Sequence, residues 1–256
     1  PRTRLVVMSH ITSATSLVLP VEPVVRECNR RGIDVLVDGA HSPGQTPIDV
    51  SALDPTFFVG SLHKWVSAPK GTAFLYVRPD RRKGFRTLCL SSRADKIRPE
   101  RALFLRDFDY MGTDDYTPLL AIPAALEAMG RLLPGGWPAL MEHNRSLALR
   151  ARRVVAQSAG LDLPCPDSMV GSMASLVLPE ASADLGPRAT LYDDPLQDAL
   201  LERHRVQIPV WRLGEKPGVR LIRLSAQVYN AIEQYEHLGR ALAQELAAEH
   251  ARRATA

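Results

Sequence analysis

Two residues carry most of the chemistry in this chain: Lys64, in Gly60-Ser61-Leu62-His63-Lys64-Trp65, and Asp38, which closes the apolar run Ile33–Val37 and opens Asp38-Gly39-Ala40-His41. A lysine amine can hold an aldehyde as an imine, and a carboxylate can keep a heterocyclic nitrogen protonated so that the ring draws electrons from a bond being broken. The first task needs an uncharged amine, whose ordinary pKa is about 10.4, so burial or a nearby cation has to lower it. Phe57, Phe58, Val59, Trp65 and Val66 supply an apolar setting able to do so. Asp38 ends a buried run, and a carboxylate there costs free energy unless it is paired; a protonated ring nitrogen would be such a partner. Ser61 and His63 flank the lysine with a hydroxyl and an imidazole, donors suited to an anion. Asp38, His41 and His63 are also chemically able to hold a metal ion, but that reading leaves Lys64 and Arg223 without a task.

Both residues fall where strands end. Apolar runs mark strands at Arg4–Met8, Ile33–Val37, Phe57–Val59 and Thr72–Val77, and between the first two Val21, Val24, Val25 and Cys28 recur at helical spacing between Pro20 and Gly32. Strand, helix, strand is the unit of a parallel sheet, whose ligands gather at the carboxyl ends of the strands. Ser9, His10, Asp38, His41, Ser61, His63 and Lys64 all sit at such ends. Residues 80–117 lack periodicity and read as loop with short elements; Thr117-Pro118 then opens a helix through Met129, and Pro134-Gly135-Gly136 breaks the chain. The break divides a large domain, residues 1–134, from a small C-terminal α/β domain, residues 135–256. The small domain shows helices over Trp137–Ser158, Pro195–His204 and Tyr229–His250, and strands over Met173–Leu178, Val206–Trp211 and Val219–Leu224. The fold class is α/β, with a mostly parallel sheet in the large domain.

Composition removes other classes. With 256 residues and 45% hydrophobic content the chain supplies an ordinary globular core. The net charge of +4 comes from arginines scattered among acidic residues rather than an aromatic-interleaved stripe, so no nucleic-acid partner is expected. No apolar run approaches the roughly 20 residues of a membrane helix, and Pro1–Arg4 do not form a signal peptide. Cys28, Cys89 and Cys165 are odd in number and lack CxxC spacing, against a disulfide framework or thiolate metal site and in keeping with a reducing cytoplasm. His143, His204, His237 and His250 lie on polar helix faces and read as surface residues, and His10 as a structural histidine.

Four ordered segments then carry a specific resemblance: Ser9-His10-Ile11-Thr12-Ser13, Asp38-Gly39-Ala40-His41-Ser42-Pro43-Gly44-Gln45, Gly60–Trp65 followed by Ala68-Pro69-Lys70-Gly71, and Arg223-Leu224-Ser225-Ala226-Gln227-Val228-Tyr229-Asn230. Together they resemble the class V aminotransferases, pyridoxal-phosphate enzymes of fold type I, and among them the branch similar to isopenicillin-N epimerases. The resemblance implies pyridoxal 5′-phosphate as cofactor, with Lys64 as the Schiff-base lysine and acid/base at the substrate α-carbon. It implies Asp38 at the pyridinium nitrogen, His41 at the ring's phenolic oxygen, and Ser61 and His63 at the phosphate. Arg223 stands where the family binds the substrate α-carboxylate, with Ser13 nearby, and Gly112-Thr113 resembles the pair that reaches a neighbour's phosphate in a homodimer. Arg220, three residues before Arg223, is the competing arginine, and a helix-capping role competes for Thr113. The substrate implied is a small molecule with an amino-acid α-carbon, with epimerisation, transamination or C–S cleavage left open. A second acid/base for racemisation has only Tyr110, Tyr116 and His10 as candidates.

The sequence also departs from the family. Members carry further sequence ahead of the strand that opens this chain, including a phosphate-cradling loop, so the chain reads as the C-terminal two thirds of such a protein. Weak cofactor retention by these residues alone is the expectation, since a helix N-terminus supplies backbone donors and dipole to a phosphate; a non-catalytic remnant is the alternative. Val206–Arg220 contains no cysteine, which disfavours cysteine desulfuration, a reaction of related enzymes that needs a mobile thiol shortly before the arginine.

Overall fold

The computed structural model describes residues 2–92, 94, 96, 98–180, 194–214 and 218–254, and the chain divides into two compact units. The first contains the N-terminal residues through His10, Pro20–Pro43 and Ile48–Met129; the second contains Ile11–Leu19, Gly44–Pro47 and the chain from Gly130 onward.

In the first unit, β1 (Leu5–Ser9), α1 (Val21–Arg30), β2 (Asp34–Asp38), α2 (Val50–Leu53), β3 (Phe57–Ser61) and β4 (Ala73–Val77) build a sheet of order β1-β2-β3-β4. The first three strands run parallel and β4 returns antiparallel to β3. Side chains alternate across a strand, so Val35, Val37 and Phe58 share one face, where they pack with Val21, Val25 and Cys28 of α1. Burying each of these apolar side chains contributes roughly 1.5–3 kcal/mol. The register pairs Ser9 with Asp38 and Asp38 with Val59, which puts Ser9, Asp38, Val59 and Ser61 on the opposite face. Leu5 and Val7 lie on that same face, and they are 48% and 63% exposed.

Two glycines at the strand ends are required by close packing. A Cβ on Gly39 would lie 2.0 Å from the Phe58 ring, and one on Gly60 would lie 2.4 Å from the Phe74 ring. Beyond β4 come α3 (Leu103–Asp109), α4 (Thr117–Leu120) and α5 (Ile122–Gly130), and Phe85, Phe104 and Phe108 pack together with centroids 4.8–6.3 Å apart.

In the second unit, α6 (Gly136–Ala159), β5 (Met173–Leu178), α7 (Pro195–His204), β6 (Val210–Leu213), β7 (Val219–Ser225) and α8 (Ile232–Ala254) surround an apolar core. Its sheet has the order β5-β7-β6 and is antiparallel throughout. Ile222 and Leu224 of β7 join Leu176, Ala151, Val155, Leu200 and Leu242 in the core. Beside it, Arg220, 2% exposed, makes a two-pronged bond to Asp194 at 2.6 and 2.8 Å and reaches Glu249 at 2.8 and 2.9 Å.

Several boundaries differ from the sequence expectation, each for a local reason. The helix expected from Thr117 to Met129 is divided at Ala121, because Pro123 has no N–H to give the preceding turn. β6 starts at Val210 rather than Val206: Arg205 takes a left-handed conformation at the end of α7, and the Val206 N–H closes that helix on Leu200 O. α8 starts at Ile232 rather than Tyr229, since the Gln234 side chain accepts the Ala231 N–H at 3.0 Å, half of a capping box. α2 was not expected; the Asp49 side chain caps it by accepting the Ala52 N–H at 2.9 Å. His204 is not a surface residue: its Nε2 lies 2.9 Å from the buried carboxylate of Glu245.

Candidate active site

The carboxyl ends of β2 and β3 lie side by side in the parallel part of the sheet, and each hands its chain to a turn that carries functional side chains. After β2, the Gly39 N–H bonds Val59 O and the Ser42 N–H bonds Gly39 O, so Asp38–Ser42 folds back as a tight turn. Asp38 Oδ1 accepts the Ala40 N–H at 2.9 Å, which fixes the carboxylate at the strand end. After β3, the Leu62 N–H bonds Thr72 O and the Ala68 N–H bonds Leu62 O, closing a loop over residues 62–72 with Lys64 inside it.

These two turns meet through side chains. Lys64 Nζ lies 3.2 Å from His41 Nε2, and the Trp65 indole N–H reaches His41 Nδ1 at 3.5 Å. Trp65 is buried, and Lys64 and His41 are half-buried. His63 turns its Nδ1 to Thr72 O at 3.0 Å, so that nitrogen carries a proton, and Nε2 is the nitrogen not engaged by Thr72. His10 pairs its Nδ1 with Ser42 Oγ at 2.8 Å, and burial lowers its pKa, which favours the neutral ring. Ser61 ends β3 on the face shared with Asp38. Among the described residues, no three His, Cys, Asp or Glu side chains come together as a metal-ligand set.

A second group forms in the second unit. Arg223 and Arg220 differ by an odd number along β7 and therefore point to opposite faces. Arg220 goes to Asp194 and Glu249, whereas Arg223 Nη1 reaches Ser13 O at 2.9 Å and Ser13 Oγ at 3.2 Å. Burial pushes the Arg223 guanidinium below its ordinary value, and its Nε atom is buried without a hydrogen-bond partner. The guanidinium also stands 5.5 Å from the Trp211 ring centroid, a cation–π contact. Ser13 is presented by a turn that Thr12 Oγ1 holds by accepting the Leu17 N–H at 2.8 Å. Ser175, which pairs with Arg223 across β5 and β7, pins the same turn through Ser16 Oγ at 2.9 Å and Ala14 O at 2.8 Å.

Thr113 is exposed on the rim of a cavity of about 780 Å³ in the first unit, shared with Lys70, Cys89, Asp109 and Tyr116. The Tyr116 hydroxyl donates to Gly112 O at 2.8 Å, and ahead of the following helix Asp115 accepts the Thr117 N–H at 2.9 Å. Lys64 and His41 are thus brought together in the first unit and Ser13 and Arg223 in the second, while Thr113 lines a cavity of the first unit. The sequence reading missed the polar contacts of Trp65 and Trp211, treating the first as apolar surroundings and the second as a strand end. The signal available was a tryptophan directly beside a candidate lysine.

The chain is similar to known proteins over nearly its whole length. The family model for class V aminotransferases matches residues 1–186. The chain is 35% identical over 253 residues to an isopenicillin N epimerase of Amycolatopsis lactamdurans, covering 94% of this chain and 60% of that protein. It is 32% identical over 243 residues to a probable chloroplastic L-cysteine desulfhydrase of Arabidopsis thaliana, covering 93% and 50%. Among solved structures it resembles a cysteine desulfurase from Thermococcus onnurineus, with a TM-score of 0.75, 18% identity and coverage of 96% and 60%. It also resembles the cystine C–S lyase C-DES in complex with cysteine persulfide, with a TM-score of 0.71, 23% identity and coverage of 95% and 61%. The chain spans half to three fifths of the length of these relatives. The chain belongs to the class V aminotransferases, the pyridoxal 5′-phosphate enzymes of fold type I.

Proposed function

We propose that this chain carries the lysine-bearing part of an enzyme that acts at the α-carbon of an amino acid or an amino-acid-containing substrate. The observation that carries the reading is the contact of Lys64 Nζ with His41 Nε2 at 3.2 Å, one turn from the Asp38 carboxylate. The donor set fits pyridoxal phosphate: a carboxylate for the ring nitrogen, an imidazole for the ring oxygen, an amine for the aldehyde, and Ser61 and His63 for the phosphate. When bound, the cofactor supplies an electron sink for the electrons left on the α-carbon. Lys64 takes and returns the α-proton. Asp38, fixed by the Ala40 N–H, would face the ring nitrogen and hold its proton.

Arg223 takes the substrate carboxylate in a two-pronged bond, a task for which its planar fork suits it. Support comes from its lack of an acidic partner in the described contacts, beside Arg220 with two. Ser13 holds that guanidinium in place. Thr113, exposed beside the half-buried Gly112, contacts the phosphate of a second copy in a homodimer, and the first unit serves as the cofactor domain.

The similarity to an epimerase and to a desulfhydrase at comparable identity supports two outcomes after the shared proton removal, return of the proton or loss of a β-sulfur group. Desulfuration through a protein persulfide is disfavoured by the cysteine-free stretch Val206–Arg220. The test is α-proton exchange: amino acids incubated in D2O with the chain and excess cofactor are followed by proton NMR. Loss of the α-proton signal that is abolished in Lys64→Ala is expected, and exchange unaffected by that substitution would overturn the assignment.

A further inference from the structure

Trp65 is 8% exposed, and a buried indole N–H needs a partner. Its partner is His41 Nδ1, while the other nitrogen of the same ring faces Lys64 Nζ. A neutral imidazole carries one proton, so a ring that accepts at Nδ1 carries that proton on Nε2. The Nε2–H then points at the lysine nitrogen, and only an uncharged amine has the lone pair to receive it. An ammonium would need Nε2 as acceptor, which drives the ring proton to Nδ1 and against the indole N–H.

We propose that Trp65 is a positioning residue that fixes His41 as an Nε2–H donor and so favours the uncharged form of Lys64. The same donor is the one His41 would offer to an anionic ring oxygen. Nearby, Asp38 Oδ1 accepts the Ala40 N–H, His63 Nδ1 donates to Thr72 O, and His10 Nδ1 pairs with Ser42 Oγ. The assignment of Trp65 rests on reading Lys64 as the cofactor lysine, but the tautomer it predicts is observable without cofactor.

Nitrogen-15 NMR of the histidine rings in the 256-residue chain, free of cofactor, tests it. His41 is expected as the Nε2–H tautomer with an unprotonated Nδ1, and His63, which donates from Nδ1 to Thr72 O, shows the opposite tautomer and serves as the internal reference. Trp65→Phe is expected to shift the His41 ring signals, leave those of His63 in place, and slow borohydride-trapped reaction of Lys64 with pyridoxal phosphate roughly tenfold at fixed pH, the effect of one pKa unit. An Nδ1–H tautomer for His41 in the unsubstituted chain would overturn the proposal whatever the variant does, as would unshifted His41 signals in a folded Trp65→Phe chain. If His41 shows the expected tautomer while no cofactor is trapped on Lys64, it is the cofactor reading that fails.

Discussion

Arg220 and Arg223 lie three residues apart on one strand, and the chemistry around them separates their tasks. Arg220 is buried against two carboxylates, so Arg220→Ala leaves the buried Asp194 with Arg212 at 3.2 Å as its one described cationic partner and is expected to cost about 3 kcal/mol in urea unfolding. Arg223→Gln removes a half-buried guanidinium whose described partners are Ser13 and the Trp211 ring. It is expected to leave stability within about 1 kcal/mol and Lys64 labelling unchanged. The amino-acid concentration needed for half-maximal α-exchange should rise roughly tenfold or more, the loss of a charged hydrogen bond. The reverse pattern would move the carboxylate site to Arg220. Strand parity alone predicts that these two arginines face opposite sides; it does not say which side holds acids, because Asp194 and Glu249 are distant in sequence. Lys64 and Asp38 were legible for a different reason: polar residues closing apolar runs need explanation wherever they occur. The Trp65 contact was illegible because an indole followed by Val66 in an apolar stretch reads as packing until its N–H is followed.

At the scale of elements, the strand ends are shaped by what their glycines allow. Gly39→Ala drives a methyl group into Phe58, and overpacking of this kind typically costs about 1–3 kcal/mol. Thermal unfolding should show that loss together with weaker Lys64 labelling, because the displaced turn also carries Asp38 and His41. An unchanged midpoint would contradict the packing. In the second unit, burial pushes the Asp194 carboxyl up, but the Arg220 hydrogen bonds and charge outweigh it and hold the group below the usual carboxylate range. A carboxylate depressed by folding stabilises above its unfolded value and loses that contribution as pH falls through its folded one. Asp194→Asn is therefore expected to lower stability by about 3 kcal/mol at neutral pH and to flatten the fall of stability below about pH 4, measured by denaturant titration across pH. Most element positions were legible from apolar spacing; the ends were set by single contacts such as the Gln234 cap on Ala231 and the missing Pro123 N–H, which spacing does not encode.

For the molecule as a whole, the sequence carried the α/β class, since short continuous apolar runs separated by a helical stretch are the pattern of strands buried on both faces of a parallel sheet. It did not carry the antiparallel return of β4, which depends on the closed loop over residues 62–72 rather than on β4 itself. Leu88, Met111 and Leu120 are 104%, 61% and 78% exposed in the stretch that also bears Thr113. Exposed apolar side chains are what an association surface draws on, and the proposed homodimer would bury them. Leu120→Glu is expected to shift the chain toward monomer in sedimentation velocity without altering its circular dichroism, whereas an unsubstituted chain that is already monomeric at high concentration would contradict the dimer.

The central claim is that one amine among the five lysines of this chain is the one that takes the cofactor. Reduction with borohydride in the presence of pyridoxal 5′-phosphate, followed by mass mapping of the digested chain, reads that directly. A single phosphopyridoxyl label on Lys64, lost in His41→Ala and unaffected by Lys70→Arg, is the predicted result. Labels distributed over Lys70, Lys83 and Lys96 with none on Lys64 would contradict it.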